Sequence, residues 1–155
     1  MRWAISATLG NLEQAAKTLL GKELPLHIIK AKVQKEIRIT SLFPEEIEKY
    51  PWSGHLGIRM IDQVIQTIEE GNSVLVFTNT RSQTEMWYQK ILEVRPDWAG
   101  WMAMHHGSLD SKIRAWVENA LHEGILKVVV CTSSLDLGVD FRPVDRVIQI
   151  GSPKG

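Results

Sequence analysis

Three short clusters of hydroxyl, amide and cationic side chains could do chemistry here. The first is Thr78-Asn79-Thr80-Arg81, the second His105-His106-Gly107-Ser108, and the third Thr132-Ser133-Ser134, with Gly138 and Asp140 close behind. Each follows a short apolar run, and the first two lead into a helical pattern. A helix N-terminus presents unpaired N–H groups and the positive end of the helix dipole, so it favours anions. Arg81 adds a full charge and a fork that suits two phosphate oxygens. Gly107 permits close backbone approach. Taken singly, each cluster reads equally well as turn chemistry with helix caps. Three of them along one sheet edge predict a surface that tracks phosphates.

Other chemistries fit the same residues less well. His105 and His106 are adjacent on an expected strand and point to opposite faces, so they cannot share one metal, and no Cys/His spacing suits zinc. Asp136 and Asp140 lack the oxygen-rich loop of a calcium site. No metal site is expected. Gly21-Lys22 is not a phosphate-binding P-loop, because Ala16 and Glu23 stand where Gly and Ser or Thr are needed. No G-x-G-x-x-G follows any strand. The spacing places no paired carboxylates and no nucleophile–base set at the strand ends, so no catalytic residue is assigned.

The elements that must position these clusters follow from the apolar pattern. Residues 2–7 read as a strand, and Asn11 caps a helix over 12–20 that Gly21 closes. Residues 26–30 and 36–42 look like strands, the second alternating with Ile37 and Ile39 on one face. Pro44, Pro51 and Gly54 mark a loop. Leu56, Ile58, Met60, Ile61, Val64, Ile65 and Ile68 recur at helical spacing up to Gly71. From there the order is regular: strand 73–77, helix 81–94, strand 101–105, helix 111–122 capped by Asp110, strand 127–131 and strand 145–150. Short connections between alternating strands and helices predict right-handed βαβ units and a parallel sheet. The fully apolar run Val128-Val129-Val130 suits a strand buried on both faces.

Composition sets the class. The 155 residues include 44% hydrophobic and 23% charged side chains, as in a globular domain. Eighteen basic residues balance eighteen acidic ones, which argues against strong autonomous nucleic-acid affinity but leaves room for a locally basic crevice. The single cysteine, Cys131, permits no internal disulfide and suits a reducing cytoplasm. No run is long enough to span a bilayer. The six tryptophans share no common spacing and read as packing residues.

The motifs themselves resemble a known family. Ser6-Ala7-Thr8 resembles motif III of superfamily-2 helicases, and VLVFTNTR (Val74 to Arg81) resembles motif IV. HHGSL (His105 to Leu109) is similar to the segment between motifs IV and V, and TSSLDLGVDF (Thr132 to Phe141) to motif V. The combination is most similar to the Lhr-type, ligase-associated group of DExH-box helicases. The resemblance implies a three-layer α/β/α RecA-like domain with a mainly parallel sheet, the second of two that close over ATP and Mg. It implies that residues 1–21 are a remnant of the preceding ATPase domain, 22–54 a linker with entry strands, and 55–155 the helicase C-terminal domain, ending before an arginine-bearing motif VI.

By the same resemblance, Asn79, Thr80, Arg81, Gly107, Ser108, Thr132 and Ser133 would contact the backbone of a single strand. Gly138 and Asp140 would face ATP, and Ser6 and Thr8 would couple the two sites. The implied protein is an ATP-dependent DNA or RNA helicase whose isolated second domain is inactive. Its expected partners are nucleic acid, the first RecA-like domain and a repair ligase or nuclease. A stand-alone α/β enzyme binding a nucleotide or nucleotide-sugar is the alternative.

Overall fold

The computed structural model describes residues 10–21, 27–29, 36–43, 57–135 and 144–152. The chain forms two compact units, Met1–Thr40 and Ser41–Gly155. In the first, helix α1 (Leu12–Leu20) begins where Asn11 Oδ1 accepts the Gln14 N–H at 3.1 Å. It ends at Gly21, whose N–H reaches the Lys17 carbonyl. Both ends are as expected. The described parts of the strands expected at 26–30 and 36–42 do not form: residues 27–29 and 36–43 lie in neither strand nor helix, and residues 26 and 30 lie outside the described residues. Alternation makes a strand only where a neighbour takes up the backbone donors and acceptors. Ile37 and Ile39, 78% and 89% exposed, cover nothing. The strand expected at 2–7 lies outside the described residues.

The second unit is a three-layer α/β/α domain. Its elements run in the order α2 (Ile61–Glu69), β1 (Val74–Phe77), α3 (Arg81–Val94), β2 (Met102–His105), α4 (Ser111–Glu123), β3 (Val128–Cys131) and β4 (Arg146–Gln149). The helical pattern before α2 tightens into a 3-10 turn at Ile58–Met60. All strands are parallel, in the order β2-β3-β1-β4, with Val74 level with Val128 and Arg146, and Met102 level with Val128. The crossover from β1 to β2 runs one way across the sheet and that from β2 to β3 runs back. Right-handed crossovers therefore put α3 and α4 on opposite faces.

The strand period of two divides the apolar residues between those faces. Val74, Val76, Val128, Val130, Met102 and Ile148 pack with Val64, Ile65 and Ile68 of α2 and with Trp87 and Ile91 of α3. Leu75, Ala103, Val129 and Cys131 pack with Val117, Ala120 and Leu121 of α4 and with Leu135. Trp87 and Trp98 are essentially fully buried, and truncating Trp87 to alanine should cost about 3–5 kcal/mol. Gly57 shows how tightly the first layer closes. At φ +92, with Trp87 Cζ2 only 3.1 Å from where a Cβ would stand, no side chain fits there without displacing the indole.

Candidate nucleic-acid interface

Because β2, β3 and β1 are adjacent and parallel, their carboxyl ends bring the three polar clusters onto one edge. Open α/β sheets bind ligands at that edge. Backbone bonds extend the ladder beyond the strands: Thr78 N–H donates to the Cys131 carbonyl at 2.8 Å and Thr132 N–H to the His105 carbonyl at 3.1 Å.

At the end of β1, Thr80 is the N-cap of α3, and its hydroxyl accepts the Gln83 N–H at 3.3 Å. Gln83 Oε1 reaches back to accept the Asn79 N–H at 3.1 Å, close to a capping box. The Asn79 side-chain amide donates to the Ser152 carbonyl at 2.9 Å, tying this turn to the segment after β4. Arg81 is exposed and stands at the first position of the helix. Beneath it, Thr78 and Thr84 share a buried hydroxyl–hydroxyl bond of 2.7 Å that holds the turn to the helix.

At the end of β2, the two histidines face opposite layers, as their adjacency requires. His105 looks towards α4, where its Nε2 lies 3.0 Å from Glu118 Oε1. His106 looks towards α3, with Nε2 3.5 Å from Glu85 Oε1, and neither of its ring nitrogens has a hydrogen-bond partner. Burial holds the His106 pKa below the ordinary imidazole value. Glu85 opposes that shift, while Arg81 and His105 add to it. Gly107 and Ser108 are exposed, and nothing lies within 4 Å of a Cβ built on Gly107. Among the described residues, nothing therefore fills the space in front of Gly107.

The clusters also touch one another. Arg81 Nη1 donates to Ser108 Oγ at 3.2 Å, joining the first cluster to the second, while Arg81 Nε lies 3.7 Å from Glu85 Oε1. At the end of β3, exposed Ser133 opens a 3-10 turn, Ser133–Leu135, which buried Leu135 anchors in the core. Thr132 Oγ1 and Ser134 Oγ are 3.0 Å apart, and Ser134 Oγ is 3.4 Å from His105 Nδ1. One edge thus carries a guanidinium and the hydroxyls of Thr80, Ser108, Thr132, Ser133 and Ser134 beside open backbone. Such groups hold a phosphate backbone in register without reading bases.

The structure thus brings together Asn79, Thr80, Arg81, Gly107, Ser108, Thr132 and Ser133 along this edge. Ser6, Thr8, Gly138 and Asp140 lie outside the described residues. One expectation is overturned. A hydroxyl, an imidazole and a carboxylate do converge at the strand ends, as Ser134, His105 and Glu118, because β2, β3 and α4 meet there. Glu118 lies thirteen positions from His105 in the chain, and no local spacing signals that meeting. Glu85 was the easier residue to find, since it stands one helical turn after Arg81. Among the described residues no group of His, Cys, Asp and Glu is arranged to hold a metal ion. No described helix is long and apolar enough to cross a membrane.

Comparison with known proteins agrees with this geometry. Residues 57–155 match the helicase conserved C-terminal domain. The chain is 36% identical to the ATP-dependent helicase Lhr-Core of Methanocaldococcus jannaschii and 32% identical to that of Saccharolobus solfataricus. In both cases the match covers 99% of this chain and 18% of the relative. The chain therefore spans about a fifth of the length of these relatives. Among solved structures, Mycobacterium smegmatis helicase Lhr bound to ssDNA and AMP-PNP superposes with a TM-score of 0.55 at 33% identity, covering 64% of this chain and 14% of that one. The DNA-bound helicase MrfA, at 22% identity and a TM-score of 0.56, shares the fold. With its parallel sheet between helical layers and its match over residues 57–155, the chain belongs to the helicase conserved C-terminal domain family and has the RecA-like fold of Lhr-type superfamily-2 helicases.

Proposed function

We propose that this chain is the second RecA-like domain of an ATP-dependent DNA helicase of the DExH-box type. In that role it supplies one wall of the ATP cleft and part of the path of a single strand. The observation that supports this reading most directly is the joining of Arg81 and Ser108 across two strand ends, beside Thr132 and Ser133 on the strand between. A strand laid along the edge meets a cation, hydroxyls and the N-terminus of α3 in succession. That the Mycobacterium smegmatis relative is described with ssDNA and AMP-PNP supports both ligands.

Within the same reading, residues 1–21 belong to the preceding ATPase domain, 22–54 are the linker, and 55–155 are the C-terminal domain. Gly138 and Asp140 face the sugar and phosphates of ATP with its Mg, and Ser6 and Thr8 couple that site to the strand. The setting is DNA repair in the cytoplasm, beside a ligase or nuclease. The alternative of a stand-alone nucleotide-sugar enzyme has no observation in its favour.

Residues 1–155 contain no phosphate cradle, Mg-binding carboxylate motif or arginine clamp, and phosphoryl transfer needs all three. The chain alone should therefore bind single-stranded oligonucleotides weakly, without sequence preference and with strong salt dependence, and should hydrolyse no ATP. Fluorescence anisotropy at two salt concentrations and a coupled ATPase assay test this. Sequence-selective binding, or turnover stimulated by DNA in a pure preparation, would overturn it.

A further inference from the structure

Behind the strand ends runs a hydrogen-bonded chain that phosphate tracking alone does not need. Glu118 Oε1 lies 3.0 Å from His105 Nε2, His105 Nδ1 lies 3.4 Å from Ser134 Oγ, and Ser134 Oγ lies 3.0 Å from Thr132 Oγ1. The His105 side chain is 0% exposed, and Glu118, Ser134 and Thr132 are half-buried. A carboxylate only accepts, so the proton at the Glu118 end sits on His105 Nε2. With the ring neutral, Nδ1 carries a lone pair and takes the one proton that Ser134 owns. Ser134 Oγ can then only accept from Thr132. Every bond points inward, and the Thr132 proton is committed.

One proton added at Nδ1 reverses the chain. The ring now donates to Ser134, Ser134 donates to Thr132, and the Thr132 proton is released to donate elsewhere. The added proton comes from solvent, two hydroxyl protons swing about their C–O bonds, and no heavy atom needs to move. A phosphate oxygen is acceptor-only, so it would meet a lone pair on Thr132 in the first arrangement and a donor in the second.

We propose that His105 and Glu118 are positioning residues that decide which way the Thr132 hydroxyl donates, so that a backbone phosphate met by Thr132 draws one proton onto His105. This inference rests on the reading of the edge as a phosphate-tracking surface. The groups around the ring suit it. Glu118 faces it from α4. Cys131 lies level with it on β3. His106 follows it just past the end of β2, and it is His106 that the α3 pair Arg81 and Glu85 influences directly.

The test is calorimetric titration of the chain with a single-stranded oligodeoxynucleotide, in buffers of different ionisation enthalpy. Binding should take up close to one proton, and affinity should fall as pH rises, by at most about tenfold per pH unit for one linked proton. Ser134→Ala cuts the chain between ring and Thr132. It should abolish the uptake and leave affinity in alkaline buffer equal to or above that of the unchanged protein. Glu118→Gln can donate to Nε2, which moves the ring proton to Nδ1, and it should abolish the uptake as well. Nitrogen-15 NMR of the free chain should show His105 protonated at Nε2 alone. An Nδ1–H tautomer, binding without proton uptake, or uptake that survives Ser134→Ala would overturn the relay and leave the phosphate-tracking surface standing. Absence of any binding at low salt would overturn both.

Discussion

At the amino end of the sheet, Asp145 accepts the N–H of Asn72 at 2.8 Å and that of Ser73 at 3.1 Å, and Asn72 Nδ2 adds a third bond at 3.3 Å. At the carboxyl end, Arg81 is shared between a hydroxyl at 3.2 Å and a carboxylate at 3.7 Å, and buried His106 has no hydrogen-bond partner on either nitrogen. The first end closes the start of β1 against the start of β4 with groups the chain itself supplies. The second leaves an exposed cation and hydroxyls at the edge, with a buried imidazole beneath them. In the proposed reading, stability and strand binding are therefore separated along the strand direction. A change at one end should leave the property of the other nearly untouched.

The largest way to break that separation is at Gly71. A Cβ there would stand 2.6 Å from Val74 Cγ2 and 3.2 Å from Asp145 Oδ1. Gly71→Ala should therefore cost about 1–3 kcal/mol by overpacking, with oligonucleotide affinity per folded molecule unchanged. Urea unfolding and anisotropy on the same sample check it, and a loss of affinity would mean the two ends are coupled. Next is Asp145→Ala, which strands two backbone donors. The carboxylate is exposed, so water replaces part of the loss and about 1 kcal/mol is expected. Burial pushes the Asp145 pKa up, but the amides of Asn72 and Ser73 outweigh it and the net shift is downward. The stabilisation is thus present above the ordinary carboxylate value and lost as pH falls through the lower folded one. Wild type and variant should converge in acid.

At the carboxyl end the expected effects on stability are smaller. Arg81→Ala, an exposed change, should move stability by no more than about 0.5 kcal/mol, yet lower the salt slope of strand binding by about one unit. A slope that does not change would take Arg81 off the phosphate path. The smallest effect belongs to His106. Its folded pKa is depressed, chiefly by burial, so the unfolded chain takes the proton first. Stability is full above the ordinary imidazole value and declines as pH drops through it towards the lower folded value. His106→Gln should flatten the acid limb of a melting-temperature profile in that window. A limb of unchanged steepness would assign the acid sensitivity to other groups.

How much of this was legible differs by region. Helix α3 begins and ends where the pattern said, because Thr80 and Pro96 are local signals that bound it. The strands at 74–77, 102–105, 128–131 and 146–149 fell within a residue or so of expectation. The apolar runs of β1 and β3 are buried on both faces, as suits central strands of a parallel sheet. Residues 27–29 and 36–42, expected within strands, form none for the complementary reason. Alternation records a wish for one covered face and does not supply the neighbour that covers it.

The sequence by itself determined the element types, their order and the three polar clusters at strand ends, since caps, turns and a period of two or 3.6 are local properties. It also determined that His105 and His106 must face opposite ways. What only the tertiary structure decided is which groups meet. The strand order β2-β3-β1-β4 makes neighbours of Arg81 and Ser108, 27 residues apart, and of His105 and Ser134, 29 apart. It also spends the Asn79 amide on the Ser152 carbonyl, 73 residues away. Hydrogen bonds act over about 3 Å of space whatever their separation along the chain. Which donor finds which acceptor is therefore settled when the crossovers close the sheet, and no local pattern records it.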